Sequence, residues 1–84
     1  MLVSTKGRYA LRLMVRLAQT GPEDKVALRE VSEREGISLK YLEQLARPLV
    51  RAGLLASVRG KGGGYALARD PASVRVGDVL RAVE

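Results

Sequence analysis

Residues 28–51 contain two amphipathic segments that are joined by a turn of only a few residues. The first runs from about Leu28 to Glu35 and ends at Gly36, which readily adopts the left-handed conformation that closes a helix. The second begins at Ser38, a favourable N-cap, and its apolar residues recur at helical spacing: Leu39, Leu42, Leu45, Ala46 and Leu49. Two helices joined this closely through a glycine are typical of the helix-turn-helix motif, so the chain is limited to folds that contain it.

The segments on either side of this pair complete the order of elements. An amphipathic helix precedes the pair, and a glycine-rich hairpin and a last helix follow it. The predicted elements are a helix from about Lys6 to Gln19 capped by Ser4 or Thr5, a short strand at Val26 and Ala27, strands at Leu55 to Arg59 and Tyr65 to Ala68, and a helix from about Val76. This order predicts a mainly α fold with a small β-hairpin, a winged helix-turn-helix, as one domain over residues 1–84.

Pro48 conflicts with the helical pattern of the second segment. Proline has no amide hydrogen, and its ring crowds the carbonyl group of the residue four positions earlier, which is Gln44. We therefore expect a kink or a break between Gln44 and Arg47.

Basic residues outnumber acidic residues by 15 to 9, which gives a net charge of +6 and a pI near 10.3. A surface of this sign attracts polyanions, so nucleic acid and anionic membranes are the candidate partners. No apolar run is long enough to cross a bilayer, and the first four residues show no apolar signal region. We therefore expect a cytoplasmic protein that does not contact membranes.

The 84 residues contain no cysteine and no histidine. Disulfides, thiolate chemistry, structural zinc sites and the commonest general base are thereby excluded. The carboxylates stand in short polar segments without a nucleophile or base to pair with. We expect no enzymatic activity, no catalytic residue and no metal or cofactor site in this chain.

The residues left on the outside of the second helix of the pair have side chains suited to reading DNA. Gln44 can pair with adenine through two hydrogen bonds, and Glu43 can accept one from the cytosine amino group. Lys40 and Arg47 can meet phosphates or guanine, and Tyr41 can contact a thymine methyl group or a phosphate. The alternative is a solvated helix face with an intrahelical contact between Lys40 and Gln44.

The glycine run of the hairpin, residues 60–64, predicts a slim tip that can approach a nucleic-acid backbone. Arg59 and Lys61 are then candidates for the minor groove or its phosphates, and the amide of Gly60 is a candidate phosphate donor. Nucleotide-binding loops fit poorly, because Gly62 follows Lys61 where serine or threonine is required, and Tyr65 stands where a dinucleotide-binding loop has its third glycine. A plain flexible hairpin is the alternative.

Three arginines recur every four residues on the first helix, at Arg8, Arg12 and Arg16. Such a stripe is typical of a solvated basic face, and we interpret Arg12 and Arg16 in this way. Arg8 is the candidate for a direct phosphate contact.

Four runs of residues resemble one family in the same order along the chain. They are STKGRYA at 4–10, GISLKYLEQL at 36–45, SVRGKGGGY at 57–65 and VGDV at 76–79. With these runs the chain resembles the Rrf-two (Rrf2) family of bacterial winged-helix transcriptional regulators, to which IscR, NsrR and CymR belong. The resemblance covers nearly the whole chain.

The resemblance implies a homodimeric transcription factor, usually a repressor, that reads a palindromic operator in double-stranded DNA. It implies operator contacts by Ser38, Tyr41, Glu43 and Gln44, a minor-groove role for Arg59, and a place near the DNA backbone for Lys6. Family members continue into a long dimerisation helix, and the metal-sensing members hold an iron-sulfur cluster through cysteines in that region. Because neither is present in these 84 residues, we expect no cluster in this chain and a weakened homodimer.

The candidate DNA-binding residues are therefore Lys6, Arg8, Ser38, Lys40, Tyr41, Glu43, Gln44, Arg47, Ser57, Arg59, Gly60 and Lys61. The function expected of them is sequence-specific binding of double-stranded DNA. The alternative is a protein-interaction module, because winged helices also dock onto partner proteins.

Overall fold

The computed structural model describes residues 3–20, 25–59 and 63–84. Within these ranges the chain forms four α-helices, one 3₁₀ turn and a two-stranded antiparallel hairpin. The elements are α1 (Thr5–Thr20), α2 (Leu28–Glu35), α3 (Leu39–Arg51), β1 (Leu55–Val58), β2 (Gly64–Leu67), the 3₁₀ turn (Pro71–Ser73) and α4 (Val76–Val83). This architecture confirms the winged helix-turn-helix that the sequence predicts.

Local hydrogen bonds fix the turn between α2 and α3. Gly36 has a φ of 68°, and its amide donates to the Ser32 carbonyl group at 3.0 Å. The Ser32 hydroxyl donates to the carbonyl group of Ile37, whose side chain is buried. Ser38 then caps α3, because its hydroxyl oxygen accepts a hydrogen bond from the Tyr41 amide at 3.1 Å. The glycine closure and the serine cap predicted from the sequence are both confirmed.

Helix α3 continues through Pro48, so the predicted break is wrong. The Pro48 carbonyl group still accepts a hydrogen bond from the Ala52 amide at 3.0 Å, which extends the helical pattern beyond the proline. Leu45 and Leu49 flank the proline and are completely buried. Burial of two leucines contributes roughly 3–6 kcal/mol, which offsets the roughly 3 kcal/mol that a proline costs inside a helix.

The hairpin pairs β1 with β2 in a register that runs from Leu55 opposite Leu67 to Val58 opposite Gly64. Strand β1 ends one residue before its predicted end, and β2 begins and ends one residue earlier than predicted. The predicted strand at Val26 is a single bridge, in which the Val26 and Tyr65 amides each donate to the other residue's carbonyl group, at 2.8 and 2.9 Å. This bridge attaches the hairpin to the segment before α2.

A core of aliphatic side chains lies between α1, α3, α4 and the hairpin. Its largest members, each with less than 2% of its surface exposed, are Leu13, Leu17, Leu42, Leu45, Leu49, Leu54, Val31 and Val79. Among the described residues no polar or charged side chain is buried. The cationic groups are therefore kept at the surface, where they can meet a partner.

Gly64 is required by the bridge to Val26 and not only by a turn. A Cβ atom at Gly64 would lie 2.4 Å from the Val26 carbonyl oxygen, whereas a Cβ atom at Gly77 in α4 would meet only the end of the Arg81 side chain, at 3.2 Å. The same substitution should therefore have different consequences at these two glycines.

We expect Gly64→Ala to lower the free energy of unfolding by about 1–3 kcal/mol, because backbone atoms must move apart to admit the methyl group. Gly77→Ala is the matched control, and it should leave stability unchanged or raise it by up to about 1 kcal/mol. Urea unfolding of both variants measures the difference. Equal effects in the two variants would contradict the steric account of Gly64.

An ion pair joins α1 to the end of α2. The Arg16 guanidinium group donates from Nε and Nη2 to one carboxylate oxygen of Glu35, with an Nε to Oε2 distance of 3.1 Å. Both side chains are partly buried. The hydrogen bond from Arg16 is the largest effect and lowers the pKa of Glu35 below its usual range. Desolvation opposes it, and the charges of Arg16 and Arg12 lower the pKa further. Arg16 therefore does not belong to the solvated basic face that the sequence predicted for it.

The lowered pKa of Glu35 predicts an acid-dependent loss of stability. The ion pair contributes fully above the usual glutamate pKa, and its contribution falls as the pH drops through the lower value of the folded state. Glu35→Gln should therefore reduce the difference in unfolding free energy between about pH 7 and about pH 3. Glu30→Gln is the control, because its partner Arg34 is 3.5 Å away and both side chains are mostly exposed. The account fails if both variants keep the full acid dependence.

Candidate nucleic-acid interface

One face of α3 presents a continuous row of polar and cationic side chains. Lys40, Gln44, Arg47 and Arg51 are spaced by four, three and four residues, so they follow one another along one side of the helix, and all four are exposed. Glu43 is exposed beside them. We call Lys40, Gln44, Arg47 and Arg51 the α3 stripe. None of its members forms a hydrogen bond or an ion pair through its side chain with another described residue, so the predicted alternative contact between Lys40 and Gln44 is not formed.

The opposite face of α3 is buried and fixes the orientation of the stripe. Leu42, Leu45, Ala46 and Leu49 have none of their surface exposed. The first turn is held by the cap from Ser38, which is itself exposed at the start of the helix. Packing and capping together aim the α3 stripe away from the protein body.

Tyr41 is half-buried, unlike the stripe beside it, because it packs against α1. Its ring meets the ring of Tyr9 edge to face, with centroids 5.7 Å apart and planes at 86°. The guanidinium carbon of Arg12 lies 5.7 Å from the centre of the Tyr9 ring, within the range of a cation–π contact. Arg12 is therefore exposed to solvent and also lies over the Tyr9 ring. Sequence reasoning missed the contact of Tyr9 with Tyr41, because helical spacing does not show which residues of α1 and α3 meet.

The hairpin lies next to the second half of α3. Ser57 and Arg59 are exposed, and Arg59 has no hydrogen-bond or ion-pair partner within the described ranges. A cleft of about 280 Å³ separates the hairpin from α3, and it is lined by Arg47, Val50, Arg51, Ser57 and Tyr65. Arg47 and Ser57, which both belong to the predicted set, therefore line the same cleft. The predicted residues Gly60 and Lys61 lie outside the described residues.

Lys6 and Arg8 are exposed on the first turns of α1, away from that cleft. The start of α1 is capped by Ser4, whose hydroxyl oxygen accepts from the Gly7 amide at 3.0 Å and donates to the Glu84 carboxylate at 2.7 Å. Arg8 borders a shallow hollow with Arg12, Arg16 and Glu35 and forms no ion pair with a described residue. Neither Lys6 nor Arg8 contacts the α3 stripe, so any role they have is at a separate point of the surface.

Two polar residues of the cleft, Arg51 and Tyr65, are absent from the predicted set. Arg51 follows Arg47 by four residues, so helical spacing alone offered a signal for it. Tyr65 stands opposite Ser57 in the hairpin, and that register depends on a turn whose length the sequence leaves open. The cleft itself was therefore not predictable from single residues.

No cluster of three or more histidine, cysteine, aspartate or glutamate residues occurs in the described part of the chain. The full sequence supplies neither thiolate nor imidazole, which are the usual protein ligands of iron-sulfur clusters. The residues present do not fit an iron centre.

None of the described helices is both long and apolar enough to span a bilayer.

An exposed, capped helix after a tight turn, followed by a hairpin that lies beside it, defines the class of winged helix-turn-helix proteins. Comparison with known families agrees. The model of the Rrf2 family, described as "Iron-dependent Transcriptional regulator", matches residues 3–84. The chain belongs to the Rrf2 family.

Individual relatives are similar over the whole chain. The HTH-type transcriptional regulator IscR of Cereibacter sphaeroides is 55% identical over 86 aligned residues, which cover 100% of this chain and 56% of that protein. The solved structure of T. potens IscR has a TM-score of 0.91 at 50% identity, with 100% of this chain and 61% of that chain covered. CymR, the global cysteine regulator of B. subtilis, has a TM-score of 0.95 at 42% identity, with 100% and 65% covered. The chain thus spans little more than half the length of these relatives.

The contact between Tyr9 and Tyr41 predicts an energetic coupling between α1 and α3. In a double-mutant cycle of Tyr9→Leu and Tyr41→Leu, we expect a coupling free energy of about 0.5–1.5 kcal/mol, because leucine keeps apolar volume and loses the ring geometry. Urea unfolding of the two single variants and the double variant gives this value. The control cycle pairs Tyr9→Leu with Tyr65→Leu, and it should be additive. Additivity in both cycles would exclude a specific aromatic contact.

Proposed function

We propose that this chain binds double-stranded DNA in a sequence-specific manner as a transcriptional regulator, with α3 in the major groove. The observation that carries the proposal is the α3 stripe: exposed amide and cationic side chains, without partners among the described residues, on a helix whose other face is completely buried. A recognition helix presents base-reading groups from its opening turns, where Lys40 and Gln44 lie.

The charge of the stripe favours DNA over a protein partner. Three of its four members are cations, the fourth, Gln44, carries two hydrogen-bonding groups suited to base edges, and Glu43 is the only carboxylate on α3. A carboxylate facing DNA weakens binding by repulsion unless it accepts a hydrogen bond from a cytosine amino group. We assign to Glu43 a role in selectivity and to Lys40 and Arg47 contacts with phosphate or guanine.

The remaining candidate residues take supporting roles in this proposal. Arg59 extends from the end of β1 toward the minor groove, with Gly60 and Lys61 contributing an amide and a cation beyond it. Tyr41 contacts a thymine methyl group or a phosphate through its exposed part. We assign contacts with the DNA backbone to Lys6 and Arg8 at the start of α1 and to Ser57 on the hairpin.

The regulatory context is proposed from the relatives. IscR and CymR are named as regulators, and we propose that this chain likewise controls transcription, as a repressor, in the bacterial cytoplasm where the DNA lies. We also propose that it occupies a palindromic operator as a homodimer. The donor set fits no iron centre, so DNA binding by these residues is proposed without one.

Selection of bound sequences from a pool of random duplexes at two salt concentrations tests the proposed function. A specific binder enriches a defined sequence, and its affinity falls steeply with salt because phosphate contacts release counterions. Binding without enrichment would reduce the proposal to nonspecific DNA binding. The absence of binding at low salt would overturn it and would favour the protein-interaction alternative.

Gln44→Ala separates base reading from general attraction. We expect it to weaken binding to the selected sequence by about 1–3 kcal/mol and to leave affinity for random duplexes nearly unchanged. Gln19→Ala, an identical change at the exposed end of α1, should affect neither affinity. Lys61→Ala should weaken all sequences alike, because a phosphate contact carries no base information. Equal losses on both kinds of duplex for Gln44→Ala would remove it from the reading surface.

A further inference from the structure

The cleft between α3 and the hairpin contains groups to which base reading gives no role. Two guanidinium groups, from Arg47 and Arg51, and two hydroxyl groups, from Ser57 and Tyr65, border a volume of about 280 Å³. No carboxylate lines it. These four side chains form no hydrogen bond or ion pair with any residue in the described ranges, and the cleft is large enough for several water molecules at about 30 Å³ each.

The position of the cleft follows from the two surfaces that it separates. Arg47 lies about one helical turn after Gln44 on the α3 stripe, and Ser57 in β1 precedes Arg59, which follows the end of the strand, by two residues. One end of the cleft therefore continues the major-groove surface, and the other continues the minor-groove surface. Adjacent major and minor grooves of a duplex are divided by a single sugar-phosphate backbone. A duplex that meets both Gln44 and Arg59 must pass this backbone between them.

We infer that the cleft binds a phosphodiester of the DNA backbone, with Arg51 and the Tyr65 hydroxyl as ligands in addition to Arg47 and Ser57. This inference rests on the proposed function and adds a backbone site to it. The planar guanidinium group offers paired N–H donors to phosphate oxygens, and hydroxyl groups donate single hydrogen bonds. Val50 and the Tyr65 ring are half-buried, and they offer apolar surface against which the deoxyribose can pack.

The salt dependence of binding tests the site, because each neutralised phosphate contributes about 0.9 to the slope of log affinity against log salt. Arg51→Ala should lower that slope by about one unit on both selected and random duplexes. Between about 50 and 200 mM salt, the unmodified chain should then lose about 3.5-fold more affinity than the variant. Arg81→Ala is the matched control: it removes the same charge from an exposed position on α4, and it should leave the slope nearly unchanged.

Two conservative variants separate the ionic contact from folding. Arg51→Lys keeps the charge and should keep the slope, and Tyr65→Phe removes only the hydroxyl group and should weaken binding to all duplexes without changing the slope. Thermal unfolding shows whether each variant is folded. If the unmodified chain binds DNA and Arg51→Ala keeps its slope, or loses no more than Arg81→Ala, the cleft is not a phosphate site and the proposed function stands. If the unmodified chain binds no duplex, both are overturned.

Discussion

The burial of one face of α3 is the constraint on which the proposed interface depends. Four side chains of that helix, Leu42, Leu45, Ala46 and Leu49, have no exposed surface. Successive residues of a helix differ by about 100°, so a rotation by a single position would expose leucines and bury charged groups. The core thus fixes the rotation of α3 as firmly as it fixes its position. The outward direction of Gln44 and Arg47 is a consequence of apolar packing on the other side.

A second constraint places the hairpin. Beyond its own strand pairing, the hairpin is joined to the segment before α2 by the bridge between Val26 and Tyr65, with hydrogen bonds of 2.8 and 2.9 Å. Gly64 permits the close approach of the two backbones. Because Tyr65 also lines the cleft beside α3, the same bridge sets the separation between helix and hairpin. The distance between the two proposed groove contacts is therefore determined by main-chain geometry near Gly64.

Local rules were sufficient to predict much of this structure from the sequence. Gly36, Ser38 and the helical spacing of the leucines act within a few residues of one another, so they specify α2, the turn and α3 without knowledge of the rest of the fold. The contacts of Tyr9 with Tyr41, and of Arg16 with Glu35, join elements whose relative placement depends on the whole core. Periodicity identifies the face on which such residues lie and leaves their partners unspecified.

Reasoning from neighbouring residues alone did not predict the helix through Pro48, and it did not locate the binding site for an anionic partner. The cost of a proline inside a helix favoured a break, but the burial of the flanking leucines outweighs that cost. Net charge predicted an anionic partner without showing where it binds, and the ion pairs show which arginines are already neutralised by a carboxylate. In the described residues, the arginine–carboxylate ion pairs lie on α1, α2 and α4: Arg16 with Glu35, Arg34 with Glu30, and Arg81 with Asp78. The cations of α3 and Arg59 form none. Since a paired cation attracts a distant anion weakly, the cations of α3 and Arg59 contribute their full charge to the field that reaches a duplex, as do Lys6 and Arg8 of α1.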